Sequence, residues 1–161
     1  MFKLRYHLLA ALLPLAALRP AQAEPATLDK IKDSGSVTLA YRESSIPFSY
    51  LDDKAQPVGF GVDICDRVVD EIKKVTGRAD LKVQRQAVTS ANRIPLVQNG
   101  TVDLECGSTT NNSERAKQVS FAVNYFYTGT RFLVKADSGI KSLADLNNKV
   151  VVSTTDRKSV V

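Results

Sequence analysis

The chain has 161 residues, with 22 Lys or Arg against 17 Asp or Glu and a formal net charge of +5 at pH 7. Lys3, Arg5 and Arg19 fall in an N-terminal export signal; taking those three from 22 leaves 19 basic residues and a net charge of about +2, so the pI near 9.3 does not point to nucleic acid, and no dense basic run or aromatic-interleaved basic stripe is present. A metal site is not expected either, because the single His, His7, lies in the same signal.

The signal reads as a positive start, an apolar run from Leu8 to Leu18 broken only by Pro14, and the small residues Ala21-Gln22-Ala23 of a cleavage site. That run is too short to span a bilayer, which takes about 20 residues. Cleavage after Ala23 and an exported mature chain are therefore expected, and without a Cys at the cleavage site no lipoprotein anchor is expected. Cys65 and Cys106 are the only cysteines. An oxidising compartment permits one bridge between them; two buried thiols or pairing with a partner chain remain open, because spacing says nothing of the Cα separation.

Residues 28–35 read as a short helix closed by Gly35 in a left-handed C-cap. Residues 37–41 alternate and are β-rich, a first strand. The polar loop that follows carries Arg42 and Ser44-Ser45 at a strand's carboxyl end, where α/β sheets bind ligands; pairing of Arg42 with Glu43 or Asp52 at the surface is the plain alternative. Residues 52–59 read as a turn. After Gly59-Phe60-Gly61, which is too short and too unlike a phosphate loop to indicate a nucleotide, Val62, Cys65, Val68, Val69, Ile72 and Val75 recur at helical spacing until Gly77. A second strand follows over 81–85. A second crossover helix is then capped by Thr89 or Ser90, with Arg93 in its first turn and Ile94, Leu96 and Val97 facing inward.

Residues 101–106 are the third strand of this alternating series, which implies a mostly parallel sheet and an α/β fold. The chain turns at Gly107, exposes the hydroxyls of Ser108, Thr109 and Thr110, and starts a helix with Asn111 as N-cap, Glu114 three residues on as in a capping box, and Arg115 in the first turn. Arg42, Arg93 and Arg115 thus occupy equivalent places, each soon after a strand's carboxyl end. If they converge they suit a ligand with more than one negative group, because each guanidinium offers a planar fork of donors. Beyond an irregular aromatic stretch over 121–128, strands are expected at 131–135 and 149–153, with a short helix capped by Ser142 between them.

Taken together, Arg42-Glu-Ser-Ser-x-Pro-Phe-Ser-Tyr50, Thr89-Ser-x-Asn-Arg93-Ile-Pro-Leu, Gln98-Asn-Gly-Thr-x-Asp-x-Glu-Cys-Gly-Ser-Thr-Thr-Asn112 and Glu114-Arg115 resemble the periplasmic glutamate/aspartate-binding proteins that serve ABC importers of Gram-negative bacteria (solute-binding protein family 3). The likeness runs from about residue 28 to Thr155. It implies a periplasmic-binding-protein type II fold, with two α/β lobes joined by hinge strands and no cofactor. Its implied partners are an acidic amino acid and the membrane permease, with no nucleic acid and a monomeric state. Carried over by position, it implies that Arg115 with Ser108 and Thr110 holds the α-carboxylate, and that Arg42 and Arg93 with Ser90 hold the side-chain carboxylate. The organisation expected is a signal over 1–23, a first lobe over 24–130, a hinge strand over 131–135, the start of a second lobe over 136–155, and an aberrant tail over 156–161.

After Thr155 the chain departs from the resemblance, with Asp156-Arg-Lys-Ser-Val-Val161 where a turn and a ligand-contacting helix are expected. A truncated or frameshifted product that closes poorly on a ligand is the reading this suggests, with a naturally half-sized protein as the other. Two further functions stay open: a periplasmic enzyme on the same fold, similar to cyclohexadienyl dehydratase, and a fragment of a larger protein that has lost its attached domain, either the ligand-sensing domain of a receptor or part of a transglycosylase. An enzyme would need a general acid or base, and the residues above offer Arg and hydroxyls.

Overall fold

A computed structural model describes residues 26–129 and 131–153. The expected export signal and the tail over 156–161 lie outside them. In chain order the elements are α1 (Thr27–Ser34), β1 (Ser36–Tyr41), β2 (Ser44–Ser45), β3 (Ser49–Leu51), β4 (Pro57–Val58), α2 (Phe60–Thr76), β5 (Lys82–Ala87), α3 (Arg93–Gln98), β6 (Leu104–Glu105) and α4 (Ser113–Ala116), then a 3₁₀ turn at Ala144–Leu146.

The larger sheet is parallel, in the order β5-β1-β6. Ser36 to Tyr41 pair with Lys82 to Ala87, while Leu39 and Ala40 face Leu104 and Glu105. A parallel sheet needs cover on both faces, and β1 receives it. On one side Ile31 of α1 and Cys65, Val69 and Ile72 of α2 pack with Val37, Leu39, Leu81 and Cys106. On the other, Leu96 and Val97 of α3 pack against Ala40, Val88 and Val102. Both long-range helices end as the sequence suggests: Gly35 and Gly77 take φ of 66° and 69° as left-handed C-caps. A disulfide joins Cys65 on α2 to Cys106 just past β6, with the Cα atoms 6.0 Å apart.

One buried carboxylate fastens α1 to this sheet. Asp103, its side chain 2% exposed, accepts the Thr38 N–H at 2.8 Å and the Lys30 ammonium at 2.8 Å, and Lys30 also donates to Gly100 O. Asp103→Ala would strand the Thr38 amide inside the fold, and an orphaned buried donor to a charged acceptor costs about 2–3 kcal/mol. Urea denaturation should show a loss of that size; a change below about 0.5 kcal/mol, the usual surface range, would mean that water replaces the carboxylate.

Several expectations are corrected. The loop after β1 and the turn over 52–59 contain the antiparallel β2-β3-β4 meander, in which Tyr50 faces both Ser44 and Val58. Val68 and Val75 of α2 are 39% and 72% exposed, because the sheet covers only the strip bearing Val62, Cys65, Val69 and Ile72. On α3, Leu96 and Val97 face inward as expected, but the most buried residue is Arg93. The cap of α4 is Asn112, whose side chain accepts the Arg115 N–H at 2.9 Å, so Asn111 does not cap and Glu114 is one position early for a capping box. Residues 131–135 and 149–153 pair with no strand among the described residues, and Leu133, Val150 and Val152 stand exposed; a β-rich run needs a neighbouring ladder to become a strand. The turn at Ala144–Leu146 is fastened by Asp145, which accepts the Lys141 and Ser142 amides and the Ser142 hydroxyl.

Candidate functional site

Arg42 is the first residue past β1, and the meander holds it by its backbone. The hydroxyl of Ser49, fully buried, accepts the Arg42 N–H at 2.8 Å and donates to the Arg42 carbonyl at 3.2 Å. With its backbone pinned, the side chain reaches across the sheet end, and Nη1 donates to Ser90 Oγ at 2.9 Å. Ser90 is itself buried, in the turn that leads into α3. Thr89 and Asn92 shape that turn as a reciprocal pair: each backbone N–H donates to the other's side-chain oxygen, at 2.7 and 3.2 Å. Arg93 follows directly, its N–H donating to Thr89 O, and its side chain is only 2% exposed.

The third arginine comes from the other direction. Asn112 caps α4 through the Arg115 amide, and the Arg115 side chain folds back so that Nη1 donates to the Thr110 carbonyl at 3.0 Å. The loop between β6 and α4 approaches Arg42 closely at Gly107. A Cβ there would lie 2.5 Å from Glu105 Oε1 and 2.9 Å from Arg42 Cγ, so a larger residue would have to push both side chains aside. The Gly107 carbonyl accepts a hydrogen bond from the Tyr125 hydroxyl. Tyr125 stacks edgewise on Phe60 and Phe126 on Phe48, which folds the aromatic stretch over the sheet end.

These elements enclose a cavity of about 500 Å³, lined by Phe48, Arg93, Glu105, Ser108, Thr110 and Tyr125 among others. Of the six residues expected to hold a ligand, Arg93, Ser108 and Thr110 line it directly. Arg42 and Ser90 are bonded to each other beside it, and Arg115 reaches it through the Thr110 carbonyl. One group ties all three arginines together. Burial pushes the Glu105 carboxyl above the usual carboxylate range, against the opposing pull of the Thr109 hydroxyl and of the Arg93, Arg42 and Arg115 guanidinium groups. Thr109 lies near enough to favour the ionised form without meeting hydrogen-bond geometry: Oε1 of Glu105 and the Thr109 hydroxyl are both buried and without a hydrogen-bond partner among the described residues. Burial also raises the Tyr125 phenol, and the Glu105 charge adds to that rise.

Sequence reasoning passed over Glu105. The available signal was its place: an acidic residue at the last position of a half-buried parallel strand, two residues before a glycine.

Comparison with known proteins places the chain in a family. Residues 37–159 match the family described as bacterial extracellular solute-binding proteins, family 3. The L-glutamate/L-aspartate-binding protein of Pseudomonas aeruginosa is 52% identical over 134 residues, 83% of this chain and 44% of that protein. The glutamate/aspartate import solute-binding protein of Escherichia coli K12 is 48% identical over 141 residues, 88% of this chain and 47% of that protein. The chain thus spans about half the length of the curated relatives it matches. Among solved structures, an ancestral amino acid-binding protein, described as a precursor of cyclohexadienyl dehydratase, superposes with a TM-score of 0.65 at 32% identity over 76% of this chain and 52% of that one. A cysteine-binding protein from Campylobacter jejuni gives 0.58 at 30% identity, covering 74% and 47%.

Proposed function

The chain belongs to the bacterial extracellular solute-binding proteins, family 3, and from that premise we propose that the protein captures L-glutamate or L-aspartate in the periplasm and delivers it to the membrane permease of an ABC-type importer. The observation that carries the ligand class is the gathering of three guanidinium groups around one carboxylate at the carboxyl end of a parallel sheet. Each guanidinium offers a planar fork of donors, and several of them at one cavity suit a ligand with two carboxylates, which is what an acidic amino acid brings. In this reading Arg115, with Ser108 and Thr110, takes the α-carboxylate. Arg42 and Arg93, with Ser90, take the side-chain carboxylate. Residues 24–130 form the first lobe, 131–135 the hinge and 136–155 the start of a second lobe, and the protein acts as a monomer.

The names of the Pseudomonas and Escherichia relatives support the acidic amino acid class over other ligands of the family. They also support a binding role over catalysis, and no observation among the described residues favours a dehydratase. Titration calorimetry of the full-length, two-lobed form tests the reading. L-glutamate and L-aspartate should bind at micromolar Kd or tighter, about −8 kcal/mol or better, while lysine and leucine give no heat. Leucine binding as tightly as glutamate would end the assignment.

A further inference from the structure

That reading gives no role in binding to Glu105 itself. It stands on β6, where a ligand carboxylate would meet the same three arginines, and its position is dictated by packing. The carboxylate and the Arg42 stem converge over Gly107, where an added Cβ would crowd both. Its Oε1 is buried in the wall of the cavity and accepts no hydrogen bond among the described residues. Burial disfavours the charge on Glu105, and the Arg93, Arg42 and Arg115 guanidinium groups favour it. Once a ligand's carboxylates take over those guanidinium groups, Glu105 becomes a buried like charge beside them, and a like charge in a desolvated site favours the neutral form.

We propose that Glu105 is a specificity-determining residue that takes up one proton from solvent, at a carboxylate oxygen, when an acidic amino acid binds. This rests on the ligand class proposed above. The groups facing Glu105 are Arg42 from the end of β1, Arg93 from α3, Arg115 from α4, the Thr109 hydroxyl from the loop and the Tyr125 phenol from the aromatic stretch. Burial holds the Tyr125 proton on more tightly than usual, and no histidine lies among the described residues. The ligand's own carboxyl groups are ionised above about pH 5.5. Proton uptake in this window therefore reports Glu105. Because binding takes up a proton, affinity falls as pH rises through the range in which Glu105 titrates.

The test is calorimetry of the mature protein with L-glutamate at pH 6.5, in two buffers of different ionisation enthalpy. The wild type should take up a measurable fraction of a proton, up to about one, and E105Q should bind glutamate with none. Glutamate binding without uptake in the wild type, or equal uptake in E105Q, would overturn the role of Glu105 while leaving the ligand class intact. Absence of binding by either acidic amino acid would overturn both. Should E105Q fail to fold, carbon-13 titration of the Glu105 carboxyl in the wild type gives a second reading. Its midpoint should move up when L-glutamate saturates the site, and an unmoved midpoint refutes the proposal.

Discussion

Replacing Arg93 with Ala should lower affinity for L-glutamate and L-aspartate by on the order of 2–5 kcal/mol, the range for truncating one partner of a buried charge pair. Glutamine binding should fall far less. The size follows from burial: the Arg93 side chain is 2% exposed, so little water can replace the lost donors. Arg93→Lys should recover little of it, because an ammonium on a flexible stem lacks the planar two-point fork. The same substitution also acts on Glu105, because Arg93 heads the guanidinium groups that favour its charged form; removing it moves that carboxyl further toward neutrality. Arg93 is also the largest of the fully buried side chains, so its truncation leaves a cavity beneath α3, and thermal unfolding must accompany the calorimetry. A folded Arg93→Ala protein that loses glutamate and glutamine affinity equally would show that Arg93 shapes the cavity without reading the second carboxylate.

Removing the disulfide should have an effect of similar size on stability. The bridge closes a loop with a sequence separation of 41 residues. In the chain-entropy account, cross-linking a loop of that length restrains the unfolded chain by about 4 kcal/mol. For a single lobe that is a large part of the total, since whole domains are stable by only about 5–15 kcal/mol. The double variant Cys65→Ser, Cys106→Ser should lose most of that amount in urea denaturation, and the wild type should lose as much on adding a reductant. Ligand affinity should drop as well: Cys106 stands between Glu105 and Gly107, so the bridge anchors the end of β6 to α2 at the edge of the cavity. Equal unfolding midpoints with and without reductant would mean that the bridge adds nothing to stability.

Local patterning determined a good deal of this protein. The 3.6-residue recurrence in α2, the glycines at 35 and 77, the alternation in β1 and the crossover lengths all act over a few turns of chain, and they suffice for an α/β lobe with a parallel sheet. The places of Arg42, Arg93 and Arg115 after successive strands were legible for the same reason. What needed the tertiary structure was everything that depends on a distant partner. The two- and three-residue strands of the meander exist only as a set of three. The runs at 131–135 and 149–153 have strand composition and no ladder to join. Asn111 and Asn112 are identical side chains, and the choice between them is made by which one can reach the Arg115 amide once the chain has left Gly107. Glu105 is the clearest case: its environment comes from residues 42, 93 and 115, far apart along the chain, and only the parallel sheet brings their side chains to one carboxylate. Spacing along a chain encodes contacts within a few turns, whereas the charge around a buried group is set by what the fold delivers to it from elsewhere.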